Sequence, residues 1–263
     1  MVERPRGGKR KQQKKKLLAS HQRSWLWGRN LVQETLAAAR WPILELYLAD
    51  ELPDDQLEQA QSVAERNGVE PERVTREAIE RLCHSSEHQG FLAKMGPFPY
   101  QDAGQLLDDA GTCPMYLILD SIQDPYNFGA IVRSAAVLGV NGVFIAEQRQ
   151  VPVTSMVARS SAGGVNHVPI SQVADLAELI HRLRDRSIQV IAASEKSDVG
   201  LTECDFRQPT AVVIGNEGEG ISPDVLAKCS ALAKIPLSGD LGSLNAAVAA
   251  ALFCYEAWRQ RAS

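Results

Sequence analysis

The regular alternation of short apolar strands with helices, from Pro114 to the C-terminus, most constrains the fold of this chain. The strand predicted at 211–214, Ala-Val-Val-Ile, is apolar on both faces, which is typical of a parallel sheet covered by helices. The pattern therefore predicts an α/β domain with a mostly parallel sheet over residues 114–263. The predicted strands are Met115–Leu119, Gly142–Ala146, Val168–Ile170, Gln189–Ala193, Ala211–Ile214 and Ala233–Leu237, and the predicted helices are Phe128–Leu138, Thr154–Arg159, Val173–Arg186, Pro223–Lys228 and Leu244–Arg259.

A second, smaller α/β domain is predicted over residues 23–99, because 263 residues suit two modest domains better than one. The run that begins at Trp25 places four residues on one helical face: Leu31, Val32, Thr35 and Leu36. The further predicted elements are a strand at Ile43–Ala49, helices at Asp54–Asn67 and Thr75–Cys83, and a strand from His88 to Met95. Residues 100–113 are polar, contain two glycines and are predicted to form a linker with room for a helical turn.

The N-terminal segment is strongly basic. Residues 1–30 contain ten Lys or Arg and one acid, so they carry +9, whereas the other 233 residues carry −13. Residues 1–22 are predicted to be a disordered tail that binds a polyanion without sequence preference and in a salt-dependent way. The alternative is a solvated tail that only aids solubility.

Several classes of protein are disfavoured by what the sequence contains. The five cysteines are odd in number and widely spaced, which argues against a disulfide framework and against structural zinc. The five histidines match no metal spacing, so no metal site is predicted; His88 is the one that we consider for RNA contact. No apolar run approaches the ~20 residues that cross a bilayer, and no secretory signal is recognisable, so a soluble, cytoplasmic protein without a membrane partner is expected.

Three loops that follow predicted strands share an unusual composition, and ligands of α/β sheets gather beyond the carboxyl ends of the strands. In the first loop, Asn127 is predicted to cap the next helix, with Arg133 in that helix. A helix N-terminus with a nearby arginine suits a phosphate. An ordinary cap with the arginine in a surface ion pair is the alternative.

The second loop contains three glycines, Gly215, Gly218 and Gly220, around the acid Glu217. Glycines allow a sharp turn and close approach to a ligand. The loop is neither a P-loop nor a dinucleotide fingerprint, since no Gly-Lys-Ser/Thr follows and the glycines do not follow the first strand. Ser222 is predicted to cap the next helix.

The third loop runs from Ile235 to Asn245 and precedes a long, Ala-rich helix. Ser243 is predicted to cap that helix, with Asn245 in its first turn. Capping alone would also explain Ser243.

The three loops, in this order, resemble the motifs of the SpoU (TrmH) family, part of the SPOUT superfamily of RNA ribose 2′-O-methyltransferases. The matching residues are Asn127-x-Gly129-x-x-x-Arg133-x-Ala135, Gly215-Asn-Glu217-Gly-x-Gly220 and Ile235-Pro-x-x-Gly239-x-x-x-Ser243-Leu-Asn245. Two N-terminal runs, which begin at Gly28 and His88, resemble that family's RNA substrate-binding domain. The chain is most similar to two-domain members that methylate a guanosine of large-subunit ribosomal RNA. One departure is Ala246-Ala-Val, where Val-Ser-Val is more usual.

The resemblance implies a deep trefoil knot, S-adenosyl-L-methionine as cofactor, RNA rather than DNA as substrate, and a homodimer whose last helix contributes to the interface. The cofactor would lie among the loops at 193–195, 214–220 and 235–245. The residues that the resemblance assigns to cofactor binding are Gly215, Gly220, Ile235, Leu237, Ser243 and Leu244.

The resemblance also assigns catalytic roles. Arg133 would hold the target phosphate and help to activate the 2′-hydroxyl, and Asn127 would orient the ribose or Arg133. Glu217 would position Arg133 or the nucleotide, whereas Ser243 and Asn245 would fix the loop around cofactor and substrate. An arginine with a pKa above ~12 is a poor base, so either a phosphate relays the proton or the site perturbs the arginine.

Three other functions are compatible with parts of the sequence. The first is a transfer-RNA ribose methyltransferase, and the second is a non-catalytic RNA-binding assembly factor. A Rossmann-type dehydrogenase fits only the coarse α/β pattern.

Overall fold

The structure, a computed structural model, describes residues 24–239 and 242–262. The predicted tail at 1–22 lies outside the described residues. The chain forms two compact units that divide between Phe98 and Pro99, and the short segment Thr154–Met156 groups with the first unit.

The first unit is built on a four-stranded sheet in the order β1-β4-β2-β3. The strands are β1 (Trp25–Trp27), β2 (Ile43–Ala49), β3 (Pro71–Val74) and β4 (Phe91–Met95), and the helices are α1 (Arg29–Ala38), α2 (Asp54–Arg66) and α3 (Arg76–Cys83). β4 pairs antiparallel with β1 and β2, whereas β2 and β3 are parallel.

Two features of this unit differ from the prediction. The run from Trp25 begins as a strand, because all three side chains of β1 are buried in the sheet, and the helix begins only after Gly28, whose φ is 100°. On α1 the buried residues are Val32, Thr35 and Leu36. Strand β3 was not predicted; its residues are mostly exposed and give no apolar pattern.

The second unit contains a six-stranded sheet in the order β10-β8-β9-β5-β6-β7, and every described pairing in it is parallel. The strands are β5 (Met115–Asp120), β6 (Gly142–Ala146), β7 (Ile170–Val173), β8 (Gln189–Ala193), β9 (Thr210–Gly215) and β10 (Ala231–Ala233). The helices are α4 (Ala103–Asp108), α5 (Pro125–Val137), α6 (Ser155–Ser160), α7 (Leu176–Asp185), α8 (Pro223–Leu226) and α9 (Ala246–Arg261), with 3₁₀ turns at Gly164–Asn166 and Leu201–Glu203. The predicted α/β class with a mostly parallel sheet is confirmed.

Prolines explain two shifted strands in this unit. The strand predicted at Val168–Ile170 begins at Ile170, directly after Pro169, and the strand predicted at Ala233–Leu237 ends at Ala233. Proline has no N–H for a strand ladder, so Pro169 and Pro236 stay outside the paired segments. The chain after β10 therefore leaves the sheet.

Residues 100–113, predicted as a linker, fold with the second unit. Asp102 caps α4 by accepting a hydrogen bond from the Gln105 N–H at 3.0 Å. Three side chains of α4 are buried in the same apolar cluster as Tyr116 and Ile180: Ala103, Leu106 and Leu107. The segment is therefore a packed element.

None of the helices in the described part of the chain is long and apolar enough to cross a membrane. Within residues 24–239 and 242–262, no group of three or more His, Cys, Asp or Glu side chains is placed to bind a metal ion.

Candidate active site

A cavity of about 360 Å³ lies in the second unit, at the carboxyl ends of β8, β9 and β10. Its wall brings together residues 193–196, residues 214–221 and, from the third loop, Ile235, Leu237 and residues 242–244, with side chains of α9 alongside. All six residues that the resemblance assigns to the cofactor line this cavity: Gly215, Gly220, Ile235, Leu237, Ser243 and Leu244. The volume lies within the range of small-molecule pockets, roughly 300–1,000 Å³.

The loop after β9 is a tight turn that closes on itself. The Asn216 N–H donates to the Gly220 carbonyl at 3.0 Å, and the Gly220 N–H donates back at 2.9 Å. A Cβ on Gly215 would lie 2.4 Å from the Gly220 carbonyl carbon, and Gly220 itself has φ +74°. Both positions therefore need glycine, and the turn presents the exposed Glu217 side chain.

Glu217, Asn127 and Asn245 form a continuous chain of hydrogen bonds. The Asn127 Nδ2 donates to the Glu217 Oε1, and the Asn245 Nδ2 donates to the Asn127 Oδ1 at 3.0 Å. The Asn127 side chain thus joins the loop after β9 to the start of α9, two walls of the cavity. Three of the five predicted catalytic residues are brought together in this way.

Neither Asn127 nor Ser243 has the capping role that the sequence analysis predicts for it. Asp124 is the N-cap of α5, where its side chain accepts from the Tyr126 N–H at 3.1 Å, and this leaves the Asn127 amide free for the chain. Asn245, rather than Ser243, caps α9 by accepting from the Ala247 N–H at 2.9 Å. An aspartate three residues earlier displaces one predicted cap, and the later start of the helix displaces the other.

Ser222 is the N-cap of α8, but its side chain makes no capping hydrogen bond. Its hydroxyl donates instead to the Asp120 Oδ2 at 2.7 Å. The sequence analysis assigned no role to Asp120, although an acid at the end of an otherwise apolar strand is a recognisable signal.

Two family matches to known proteins correspond to the two units of the chain. The sequence profile of the SpoU rRNA Methylase family matches residues 114–255, and that of the RNA 2′-O ribose methyltransferase substrate binding domain matches residues 25–101. The chain belongs to the SpoU methyltransferase family. Its relative YacO of Bacillus subtilis (strain 168), whose name assigns it to the TrmH family of tRNA/rRNA methyltransferases, is 33% identical over 92% of this chain and 98% of its own length.

Two solved methyltransferase structures are similar over most of this chain. The SpoU methyltransferase AviRb from Streptomyces viridochromogenes, in complex with AdoMet, has a TM-score of 0.78 and 26% identity, and the match covers 91% of this chain and 90% of that one. An AdoMet-bound rRNA methyltransferase from Sinorhizobium meliloti has a TM-score of 0.77 and 25% identity, covering 93% of this chain and 90% of that one. The fold and the order of the two units are therefore those of SpoU methyltransferases.

Within the first SpoU motif, two small residues serve packing. A Cβ on Gly129 would lie 1.8 Å from the Ser160 Oγ, so α5 and the end of α6 can approach only with glycine there. Ala135 is fully buried. These residues fix α5, from which the Asn127 and Arg133 side chains project.

Arg133 does not join the other predicted catalytic residues within this chain. It is exposed, and it lies six residues after Asn127, which places it about 120° away around the helix. Its face of α5 also carries Tyr126 and Val137, with exposed fractions of 63% and 77%. The structure thus separates Arg133 from the Glu217–Asn127–Asn245 chain.

In the substrate-binding unit, His88 is a structural residue. Its side chain is only 3% exposed, and its Nδ1 accepts from the Gly90 N–H at 3.0 Å. Burial, followed by the nearby Arg76, lowers the pKa of this imidazole. Its neighbour Gln89 is exposed and accepts the Arg29 N–H at 3.1 Å, so that the first N–H of α1 has a partner.

Proposed function

We propose that this SpoU methyltransferase transfers a methyl group from S-adenosyl-L-methionine to a ribose 2′-hydroxyl of RNA, and that the target is a guanosine of large-subunit ribosomal RNA. The observation that carries the proposal is the hydrogen-bonded chain Glu217–Asn127–Asn245 beside the cavity. Carboxylate and amide groups in this arrangement suit hydrogen bonding to the hydroxyl groups of a ribose. The two-domain layout favours ribosomal over transfer RNA.

The cavity fits the proposed cofactor in size and chemistry. Gly215 and Gly220 bring backbone close to the ligand, while Ile235, Leu237 and Leu244 supply apolar contacts for an adenosine. Among the described residues, the wall also holds three carboxylates, Glu195, Glu217 and Glu219, and one cation, Lys196, which suits a positively charged sulfonium. When bound, S-adenosylmethionine supplies the methyl group on that sulfonium, which an oxygen nucleophile attacks.

The protein's contribution is positioning. Asn127 is held from both sides, so its amide presents a fixed surface to the incoming ribose. Glu217 has one carboxylate oxygen engaged by Asn127, and the other can orient the nucleotide or an arginine. Ser243 and Asn245 fix the third loop. Holding the reacting groups in line can supply several kcal/mol of rate enhancement.

Arg133 enters this scheme through a second subunit. The exposed apolar residues Tyr126 and Val137 on α5, and Val248, Leu252 and Tyr255 on the neighbouring α9, favour a homodimer that covers this surface. In such a dimer, Arg133 would reach the partner's site and grip the target phosphate there. The deep knot and the RNA-binding role of the basic tail stay predictions.

A methyl-transfer assay tests the function. Purified protein is incubated with methyl-labelled cofactor and either ribosomal or transfer RNA, and the product is mapped for 2′-O-methyl ribose. Label in ribosomal RNA is expected. Transfer to tRNA alone would show that the target is transfer RNA and not ribosomal RNA. Cofactor binding without any transfer would support a non-catalytic assembly factor.

The role of Arg133 is tested in the same assay. Arg133→Ala should lose transfer while it retains cofactor binding in calorimetry. Arg207→Ala is the matched control, because Arg207 is exposed and lies before the amino end of β9. Full activity of Arg133→Ala would remove this residue from the mechanism.

A further inference from the structure

Asp120 is a buried carboxylate that the proposed mechanism does not use. It is the last residue of the central strand β5 and is 5% exposed. Burial of a carboxylate is costly unless a cation or several donors compensate it. Among the described residues no cation forms an ion pair with Asp120. Three hydrogen bonds compensate the burial of its carboxylate instead.

Those three hydrogen bonds come from two serines. The Asp120 Oδ2 accepts from both the backbone N–H and the hydroxyl of Ser222, each at 2.7 Å. The Asp120 Oδ1 accepts from the Ser121 hydroxyl at 3.0 Å. The carboxylate thus holds Ser222, the residue at which the loop after β9 leads into α8.

The next residue holds the other end of the same loop. Ser121 has φ +64°, a left-handed conformation that is uncommon for a residue with a side chain, and its carbonyl accepts from the Asn216 Nδ2 at 2.9 Å. The Asn216 Oδ1 in turn accepts from the N–H groups of Gly218 and Glu219, at 2.8 and 3.2 Å. Asp120 and Ser121 therefore fix both ends of the segment 216–222.

That segment has two functions in the proposed site. Residues 216–221 line the cavity, and Glu217 accepts the hydrogen bond of Asn127. We infer that Asp120 is a positioning residue: it anchors the loop through Ser222, and this anchor keeps the cavity wall in shape and Glu217 against Asn127. The inference rests on the proposed function, because it assigns to Asp120 an effect on cofactor binding and on methyl transfer.

The experiment separates positioning from general stabilisation. The variants are Asp120→Ala, Asp120→Asn and Ser222→Ala, with Thr210→Val as control. Thr210 is also a fully buried polar residue of this sheet, but it lies at the amino end of β9, and its hydroxyl is hydrogen-bonded to Gln189 and Gln208. Urea unfolding, calorimetric binding of S-adenosylhomocysteine and methyl transfer at saturating cofactor are measured for each variant.

Asp120→Ala should weaken S-adenosylhomocysteine binding at least tenfold and lower kcat at least tenfold. Asp120→Asn should retain most of both, because one amide oxygen can accept both hydrogen bonds from Ser222. The double variant of Asp120→Ala and Glu217→Ala should have the kcat of Glu217→Ala alone, since Asp120 acts on transfer through Glu217. Thr210→Val should lower stability only.

Binding and kcat of Asp120→Ala within twofold of wild type would overturn the inference, as would independent, multiplying effects in the double variant. If Asp120→Ala does not fold, Ser222→Ala decides: it keeps the backbone hydrogen bond, and it should weaken binding by a smaller factor, whereas unchanged binding contradicts the anchor. A wild-type protein that binds S-adenosylhomocysteine but transfers no methyl group would contradict the proposed function, and the binding measurements would still test the anchor.

Discussion

The Asn245 Nδ2 donates a hydrogen bond to the Asn127 Oδ1 at 3.0 Å, although the two residues are 118 positions apart in the chain. The opposite end of the Asn127 amide donates to Glu217. Each of the three SpoU motifs contributes one side chain to this contact. The Asn127 amide can join the other two because it has a donor and an acceptor on one planar group.

Replacement of Asn127 by aspartate should therefore impair methyl transfer strongly, although the two side chains are almost the same size. The new carboxylate would face Glu217 without a proton to donate, so the two like charges would repel and the chain would open. We expect kcat to fall about 100-fold, in line with the loss of a well-placed polar contact in the transition state, and cofactor affinity to fall less. Steady-state kinetics and calorimetry measure the two effects.

Ser134→Ala is the control for this variant. Ser134 lies on the same helix, and its hydroxyl donates only to the Ala130 carbonyl, at 3.1 Å. It should leave kcat within twofold of wild type. Wild-type kcat in Asn127→Asp would show that the chain has no part in catalysis.

Replacement of Gly215 by alanine should distort the wall of the cavity. Its Cβ would meet the backbone of Gly220 and Ile221 at 2.4–2.5 Å, and backbone atoms cannot rotate away as a flexible side chain can. Gly215→Ala should cost about 1–3 kcal/mol of unfolding free energy, typical of overpacking, and should abolish measurable cofactor binding. Gly111→Ala, where a Cβ meets nothing within 4 Å, should change neither quantity. Tight cofactor binding by Gly215→Ala would mean that the loop after β9 can shift to accommodate the methyl group despite its hydrogen bonds.

Local patterns predicted most of the sheet of the second unit, because an apolar strand such as Gly142–Ala146 carries its own signal. They failed where the start of a helix or strand, or a contact with a distant segment, decides the structure. The caps of α5 and α9 depend on where each helix begins, and Asn127 and Asn245 acquire their roles from each other. Helix α4 was predicted only as a possible turn in a linker, because six residues show little periodicity and its burial comes from Tyr116 and other residues of the sheet unit.

Most residues of the candidate site could be predicted from the sequence, but their arrangement could not. The resemblance assigned Arg133 and Asn127 to one catalytic set, whereas the structure places the two on different faces of α5. Asp120 has a local signal, as an acid at the end of an apolar strand, but its anchoring role depends on Ser222, 102 positions away. A buried carboxylate is recognised by its surroundings, and these exist only in the folded chain.

The buried His88 makes the stability of the substrate-binding unit sensitive to mild acid. Burial lowers the pKa of His88 in the folded state, whereas the unfolded chain has an ordinary imidazole pKa of about 6.5. As the pH falls below that value the unfolded state takes up the proton first, so the free energy of unfolding decreases until the pH reaches the folded-state pKa. Protonation also removes the Nδ1 acceptor of the Gly90 N–H.

Urea unfolding between pH 7.5 and 5 should show this loss in the wild type and less of it in His88→Gln. His181→Gln is the control, since His181 is exposed near Asp185. Equal pH dependence in wild type and His88→Gln would show that other groups are responsible.

The last helix of the SpoU domain is secured by a buried acid. Glu256 is 6% exposed and accepts three hydrogen bonds, from Arg259 Nε and Nη2 at 2.8 and 2.7 Å and from Gln260 Nε2 at 2.7 Å. The hydrogen bond from Arg259 is the main reason that the pKa of Glu256 is lowered, and that from Gln260 adds to it. A lowered carboxyl pKa stabilises the folded state above the unfolded pKa of about 4.3, and that contribution is lost as the pH falls through the folded-state value.

Glu256→Gln should therefore lower the free energy of unfolding at pH 7 by about 1–2 kcal/mol, a typical value for hydrogen bonds to a charged group when one partner is partly exposed. The difference from wild type should shrink as the pH falls below the unfolded-state pKa of about 4.3 towards the lowered folded-state pKa of Glu256. Asp205→Asn is the matched control, because Asp205 pairs with Arg207 on the surface and such pairs contribute little. A constant difference between Glu256→Gln and wild type from pH 7 to pH 3 would show that shape rather than charge makes Glu256 stabilising.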